Sequence, residues 1–344
     1  MTNSRDKDLE FEPLFSVLRD SESVPGSDRE VLADPDSRQG RVYRMPPMLH
    51  LAVEVAMTTG RPLLLRGDPG TGKSSLAPYL ARRLGWRYYE HIVTSSSSAT
   101  DLMWRYDAVA RLADAQARQA KPERDYLEPG VLWWALNRTL AGAFAEETGH
   151  IEPGEKENRQ RDQNRAVVLI DEIDKAHPDL PNGLLVALGS NQIAVPHLDK
   201  PISFAMQEVP ALDGLPDGVE VSPLQVVVTT NEERELPAAF VRRCVTFRLD
   251  HPGPEELVEI ARTHFDRPDD PFDEEAETLA EGIAGHVETL RNEAKAGDHR
   301  PSTAEFLDAV RACRKRNVKP EQSDPRWRLI QRITLSKPGP ANYL

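Results

Sequence analysis

Between residues 46 and 250 the chain alternates short apolar runs with segments of helical periodicity. Residues 46–59 and 74–84 repeat apolar positions at the spacing of one helix face. Four runs rich in apolar residues predict strands: 61–66, 88–93, 166–170 and 224–228. Strands that alternate with helices are typical of an α/β fold, in which a parallel sheet carries helices on both faces.

The pattern changes after residue 254, where helical periodicity continues without any strand pattern. The predicted helices cover residues 255–265, 273–296 and 302–318. We therefore expect a smaller all-helical domain after the α/β domain. The predicted organisation is a weakly ordered N-terminal arm at 1–40, an α/β domain at 41–250, a helical domain at 251–335 and a C-terminal tail at 336–344.

Several segments predict local structure within these domains. Residues 101–120 predict a helical insertion, 146–165 an exposed polar loop, and 189–223 a loop-rich hairpin. Trp133 and Trp134 are adjacent in a helical pattern and therefore point in different directions, so we expect one in the core and the other at an interface. In the N-terminal arm, four apolar residues have helical spacing suited to docking: Phe11, Leu14, Phe15 and Leu18.

Charge and cysteine content narrow the class of protein. The chain has 43 Lys and Arg against 56 Asp and Glu, a net charge of −13, which disfavours broad nonspecific binding to nucleic acid. Cys244 and Cys313 cannot build a disulfide framework and suit a reducing compartment. No apolar run reaches the roughly 18 residues of a membrane span, and residues 1–8 lack the apolar core of a secretory signal. We expect a cytoplasmic protein without membrane insertion.

Residues 67–74 match the phosphate-loop pattern G-x-x-x-x-G-K-[ST] in full, between a predicted strand and a predicted helix. Glycines let the backbone N–H groups turn toward an anion, and a helix beginning near Gly72 would direct its positive end at phosphates. Lys73 would reach the β- and γ-phosphates, and Ser74 offers a hydroxyl to Mg²⁺. The candidate nucleotide-binding residues are Gly67, Asp68, Pro69, Gly70, Thr71, Gly72, Lys73, Ser74 and Ser75.

Polar residues end two further predicted strands. Asp171 and Glu172 follow the apolar run 166–170, and Asn231 follows 224–228. At the carboxyl edge of a parallel sheet, Asp171 would face Mg²⁺ and Glu172 would orient or deprotonate the attacking water. Asn231 could contact a γ-phosphate or that water. Taken alone, the acidic pair also fits a solvated turn, and Asn231 an ordinary strand end.

Arg242 and Arg243 close a short predicted helix ahead of another apolar strand. Exposed arginine pairs usually lie on a solvated face. The alternative is that they project into the nucleotide site of a neighbouring subunit as arginine fingers.

The order of these residues resembles that of the AAA+ ATPases over about residues 41–315. It is most similar to the MoxR-type ATPases, through the insertion at 101–120, the segment 128–132 and the helix at 237–243. The resemblance implies that Asn231 is sensor 1 and Arg243 the arginine finger, with Arg242 secondary because residues 241–244 depart from the usual Leu-Asp-Arg-Phe. It also implies that Arg300 is sensor 2, although the adjacent Ser302 or Thr303 could equally be a helix cap beside a solvated arginine.

The same resemblance implies ATP and Mg²⁺ as cofactors, a homo-oligomeric ring of six, and a chaperone-like action on a protein client, such as a von Willebrand factor A-domain protein. Adenine would bind near Val42 and Tyr43. Two other functions stay open: a nucleic-acid-remodelling or defence-type motor of the same fold, and an ATP-switched scaffold with slow turnover.

Overall fold

The computed structural model describes residues 15, 40, 42–204, 220–268, 270–295 and 299–336. They form two compact units. The first contains residues 45–66 and 74–248; the second contains 42–44, 67–73 and the described residues from 249 onward. The predicted arm at 1–40, apart from Phe15 and Gly40, and the tail after residue 336 lie outside the described residues, so both stay predictions.

The first unit is built from nine strands and nine α-helices in the described residues. In chain order they are α1 (Pro47–Thr59), β1 (Leu63–Arg66), α2 (Leu76–Leu84), β2 (Trp86–Ile92), α3 (Ala99–Met103), β3 (Trp104–Tyr106), α4 (Ala108–Gln116), β4 (Leu127–Pro129), α5 (Val131–Leu136), α6 (Arg138–Thr148), α7 (Glu155–Asn158), β5 (Asp162–Asp171), α8 (Asp179–Ser190), β6 (Gln192–Ile193), β7 (Ile202–Ser203), β8 (Leu224–Thr230), α9 (Ala238–Val241) and β9 (Val245–Arg248).

Five of these strands form a parallel sheet in the order β2-β5-β8-β1-β9. All seven residues of β8 are buried, as a strand with neighbours on both sides and helices on both faces requires. The α/β fold with a parallel sheet is confirmed. Because the strands are parallel, Arg66, Asp171 and Thr230 end their strands at the same edge of the sheet.

The segment predicted as one helical insertion at 101–120 is instead divided by a strand. Trp104, Arg105 and Tyr106 pair antiparallel with β4, between helices α3 and α4. Two aromatic residues in three favour a strand, and this pairing overrides the helical periodicity around it. The hairpin expected within 189–223 is present as β6 and β7, while residues 205–219 lie outside the described residues.

The polar stretch 146–165 is not simply an exposed loop, because three of its charged or amide side chains are buried: Glu152, Asn158 and Arg165. The Tyr89 hydroxyl donates to Glu152 at 2.7 Å, and Arg138 donates to both oxygens of Glu152. Burial raises the pKa of Tyr89. Asn158 Oδ1 accepts the Tyr88 N–H at 2.9 Å, and its Nδ2 donates to the Tyr88 carbonyl at 3.2 Å. These bonds hold the stretch against β2.

Trp133 and Trp134 are both buried, contrary to the expectation that one would face an interface. Every residue of α5 is buried. A helix enclosed on all sides has no solvent face, so opposite directions of two side chains do not make one of them exposed.

The second unit has four helices in its described residues: α10 (Pro254–Phe265), α11 (Glu274–Glu293), α12 (Thr303–Arg316) and α13 (Pro325–Thr334). The first three confirm the predicted helices to within three residues at each end. The fourth, α13, lies outside the predicted helices, although Asp324 as N-cap and Pro325 at the first helical position are its start signals. In the described part of the chain, no helix has the length and apolar character needed to cross a bilayer.

Candidate functional site

The loop of residues 67–73 belongs to the second unit, and at two of its glycines a side chain would overlap neighbouring atoms. Gly67 has φ +141°, and a Cβ there would lie 2.3 Å from the Leu249 carbonyl oxygen. Gly70 has φ +77°, and a Cβ there would lie 2.2 Å from the Ser302 Cβ. The backbone therefore keeps the tight, side-chain-free curvature that a phosphate cradle needs.

Lys73 is 5% exposed, and its side chain folds back onto its own loop. Its Nζ donates to the carbonyl oxygens of Gly67 at 2.9 Å and Asp68 at 2.7 Å. The Thr71 hydroxyl also donates to the Asp68 carbonyl, at 3.1 Å. The ammonium group is thus held at the loop, where a phosphate chain would be bound.

The helix after the loop begins later than expected. Its first regular residue is Leu76, whereas the sequence predicted a start near Gly72. Gly72 has φ +93°, which no α-helix accepts, so the chain turns through residues 72–75 before the helix begins. The N-cap Ser75 makes no side-chain capping bond.

Ser74 and Asp171, both in the first unit, are joined directly. The Ser74 hydroxyl donates to Asp171 Oδ1 at 2.7 Å, and the Thr229 hydroxyl donates to the same oxygen at 2.6 Å. Thr229 Oγ1 in turn accepts the Glu172 N–H at 2.9 Å. A hydroxyl beside a carboxylate is a set of hard oxygen donors that suits Mg²⁺, so these residues fit the expected metal. Thr229 was not anticipated from the sequence.

Glu172 adopts a left-handed conformation, φ 59° and ψ 50°, which is uncommon for a residue other than glycine. Its Oε1 accepts the Asn231 side-chain amide at 3.2 Å, so the structure brings these two predicted residues together. Its Oε2 accepts Lys175 Nζ at 2.5 Å. This hydrogen bond raises the pKa of Lys175. The three-residue spacing to Glu172 was the available signal for Lys175.

Asp174 is a further residue that sequence reasoning left without a role. It is 2% exposed, and its two oxygens accept the N–H groups of Asn231 at 3.4 Å and Glu233 at 2.9 Å. A third carboxylate only two residues beyond Glu172 was the signal. Asp174 fixes the backbone that follows β8 to the segment that follows β5.

Arg242 and Arg243 are exposed at the end of α9. Arg243 Nη1 donates to the Ala239 carbonyl at 3.1 Å. Arg243 also lines a cavity of about 290 Å³, together with the apolar side chains of Leu185, Leu188 and Phe240. Among the described residues, no hydrogen bond or ion pair joins either arginine to Glu172 or Asn231.

Arg300 lies beside the loop within the second unit. Its Nη1 is 3.7 Å from Asp68 Oδ2, and His251 Nε2 is 3.7 Å from the same oxygen. Burial, followed by nearby Arg291, lowers the pKa of His251 to about 4.

The helix after Arg300 is also tied to the loop. Ser302 is its N-cap in a capping box with Glu305, as the alternative interpretation expected, and the Thr303 N–H donates to the Gly70 carbonyl at 3.2 Å. A Cβ at Gly72 would lie 3.5 Å from Tyr43 Cε2. The adenine site near Val42 and Tyr43 stays a prediction.

Among solved structures, the chain is similar to the RuvB Holliday junction branch migration motor of Thermotoga maritima, at 15% identity and a TM-score of 0.40 over 83% of this chain and 67% of that one. A protein of Cytophaga hutchinsonii assigned as an ATPase has 14% identity and a TM-score of 0.40 over 82% of this chain and 79% of that one. Both TM-scores are below 0.5, which is too low for either likeness to support a conclusion about this chain. No curated protein matches the sequence.

The family assignment comes from the sequence itself. The family model for the AAA domain of the dynein-related subfamily matches residues 62–244, more than half of the chain. The match includes the glycine loop, Asp171 with Glu172, Asn231, and the two arginines that follow α9. The chain belongs to the AAA domain family, dynein-related subfamily, and is an AAA+ ATPase.

Proposed function

We propose that this ATPase is of the MoxR type: a Mg²⁺-dependent enzyme that hydrolyses ATP at the subunit interfaces of a six-membered ring and thereby remodels or activates a protein client. The observation that carries the Mg²⁺-dependent hydrolysis in this proposal is the continuous hydrogen-bond network from Ser74 through Asp171 and Thr229 to Glu172 and Asn231. It connects the residues suited to hold a metal with the residues suited to activate water.

The glycine loop and Lys73 would bind the phosphates of ATP. The backbone N–H groups of residues 67–75 supply donors, and Lys73 would exchange its two carbonyl partners for phosphate oxygens. Ser74 and Asp171 would hold Mg²⁺. When bound, Mg²⁺ supplies positive charge to the phosphate oxygens. Lys73 is hydrogen-bonded to carbonyl oxygens of the loop, and Ser74 is hydrogen-bonded directly to Asp171.

Glu172 would accept the proton of the attacking water, with Asn231 as its positioning partner. The amide of Asn231 already contacts Glu172 Oε1, which restricts the direction of the carboxylate. Asp174 would support this arrangement by accepting the backbone N–H of Asn231, and Lys175 by donating to the Glu172 carboxylate.

The exposed arginines support a site completed in trans. Arg243, or secondarily Arg242, would enter the nucleotide site of the next subunit and stabilise charge on the transferred phosphoryl group, an effect of about 10³–10⁵ in rate in other systems. A head-to-tail contact of this kind forms a ring when the rotation between subunits closes, and we take that closure to occur after six subunits. Arg300 would contact the γ-phosphate as sensor 2.

An exposed apolar surface supports a protein client. Helix α4 has no buried residue, and Val109 and Leu112 on it are 79% and 60% exposed. Apolar side chains left uncovered on a helix suit a protein partner, for which a von Willebrand factor A domain is our candidate. The net charge of −13 argues against nucleic acid as the client. Two buried free cysteines suit the cytoplasm.

The test is steady-state ATP hydrolysis per subunit, with Mg²⁺, as a function of protein concentration. We expect a steep rise to a plateau as subunits assemble. Arg243→Ala should remove the plateau activity, while Arg242→Ala should lower it less. A flat rate close to zero at all concentrations would favour the slow ATP-switched scaffold, and salt-dependent stimulation by DNA or RNA would favour the nucleic-acid motor.

A mixing experiment isolates the trans arginine. The Glu172→Gln variant lacks the base but retains Arg243, whereas Arg243→Ala retains the base. If the arginine acts across the interface, mixing the two inactive proteins should restore activity at the mixed interfaces. Mixtures that stay as inactive as either variant alone would refute the trans assignment.

A further inference from the structure

Asp68 places a carboxylate inside the loop that is to bind a polyphosphate. It is the second residue of the 67–74 motif, where the pattern leaves the residue type open. A negative charge at this position repels phosphate and lowers nucleotide affinity unless a cation compensates for it. The structure provides a compensating cation in the same unit, Arg300.

Asp68 and Arg300 form an ion pair within the second unit. Asp68 Oδ2 lies 3.7 Å from Arg300 Nη1, and the two side chains are 46% and 47% exposed. His251 lies at the same distance from the same oxygen, but its pKa of about 4 leaves it uncharged at neutral pH. Arg300 is therefore the charged partner of Asp68.

The backbone keeps this arginine close to the loop. The Thr303 N–H donates to the Gly70 carbonyl, and Gly70 packs against Ser302 so tightly that a Cβ would overlap it. Arg300 is three residues before Thr303. Its side chain is consequently held close to the loop that would bind the phosphates.

We propose that Asp68 is a positioning residue that holds Arg300 in the nucleotide-free chain and releases it only to a γ-phosphate. This inference rests on the proposed role of Arg300 as sensor 2. ATP binding breaks the pair, because the γ-phosphate takes the arginine. ADP has no γ-phosphate, so the pair persists when ADP is bound. Asp68 therefore weakens ATP binding through Arg300, and it affects ADP binding only through its own charge.

The test is a double-mutant cycle on the full chain: wild type, Asp68→Asn, Arg300→Gln and the double variant. Calorimetric titration with Mg²⁺ and either ADP or a non-hydrolysable ATP analogue with an imido group between its β- and γ-phosphates gives the affinities. For the analogue, Asp68→Asn should tighten binding about 2- to 5-fold more in the wild-type background than in the Arg300→Gln background, the range of a half-exposed ion pair. For ADP, the two backgrounds should give the same factor.

Controls separate this exchange from general electrostatics. Glu255→Gln removes an exposed carboxylate at the start of α10 in the same unit and should leave both affinities unchanged. The excess factor for the analogue should shrink in high salt, since half-exposed pairs are screened. Thermal unfolding of each variant checks that the fold is retained, as expected for side chains exposed to this degree.

Two results would overturn the proposal, and they are distinguishable. If Asp68→Asn changes analogue affinity by the same factor in both backgrounds, Asp68 acts by repulsion alone, and only the exchange is refuted. If Arg300→Gln has no effect on analogue affinity in the Asp68→Asn background, Arg300 does not contact the γ-phosphate. In that case the sensor 2 role in the proposed function fails as well.

Discussion

Replacing Asp174 by asparagine tests whether this buried carboxylate organises the candidate catalytic cluster. Asp174 is 2% exposed and accepts two backbone N–H groups, from Glu233 at 2.9 Å and from Asn231 at 3.4 Å. An asparagine has nearly the same shape, but it carries no charge and offers one acceptor oxygen instead of two. One of the N–H groups then faces an amide NH₂.

The expected loss of stability is set by the shorter hydrogen bond, from the Glu233 N–H. A hydrogen bond to a charged group contributes about 1.5–3 kcal/mol, while the 3.4 Å contact to Asn231 is too long to add much stability. Asp174→Asn should therefore lower the free energy of unfolding of the first unit by about 1.5–3 kcal/mol. Because Asn231 holds Glu172, the variant should also lower kcat with little change in nucleotide affinity.

Urea denaturation followed by tryptophan fluorescence measures the first effect, and steady-state hydrolysis the second. Asp179→Asn is the matched control, since Asp179 lies nearby in sequence but its side chain is 88% exposed, and its removal should change stability by less than about 0.5 kcal/mol. If Asp174→Asn behaves like this control in both assays, Asp174 does not organise the cluster.

Three further predictions concern single residues. Glu172→Gln should retain nucleotide binding and lose almost all hydrolysis, so an unchanged kcat would remove Glu172 from the role of base. Gly70→Ala and Gly149→Ala both place alanine at a positive φ, +77° and +81°, which costs about 1–2 kcal/mol, but only Gly70→Ala meets a neighbour. Denaturation should therefore show a larger loss for Gly70→Ala, and equal losses would contradict the overlap. Burial, followed by nearby arginines, lowers the pKa of His264 from 6.5 to about 4. The unfolded chain binds this proton first, so stability should fall as pH drops from 6.5 to 4, and His264→Gln should flatten that slope in thermal unfolding between pH 7.5 and 5.

Local patterns were sufficient to predict the strands of the parallel sheet and the glycine loop. An apolar run such as 166–170 has few alternatives to a buried strand, and the spacing of the loop glycines with Lys73 is itself the mechanism of phosphate binding. Asp171, Glu172 and Asn231 could be placed together because parallel strands end at one edge. These inferences need no knowledge of distant partners.

What could not be predicted depends on tertiary partners. Glu152 has the sequence context of an exposed loop, and it is buried only because Arg138 and Tyr89 satisfy its charge. Lys175 becomes a partner of Glu172 only through the left-handed turn at that residue. Neither the burial of Glu152 nor the left-handed turn at Glu172 leaves a periodic signal in the sequence.

The contacts of Asn158 with Tyr88 also protect the border of the sheet. β2 is an outer strand, and such strands present unpaired backbone groups that can recruit a strand from another molecule and start aggregation. Asn158 occupies both the N–H and the carbonyl of Tyr88, and Arg161 donates to the Trp86 carbonyl at 3.2 Å. An incoming strand would find these groups already bonded. The first half of β2 is therefore closed to the addition of another strand.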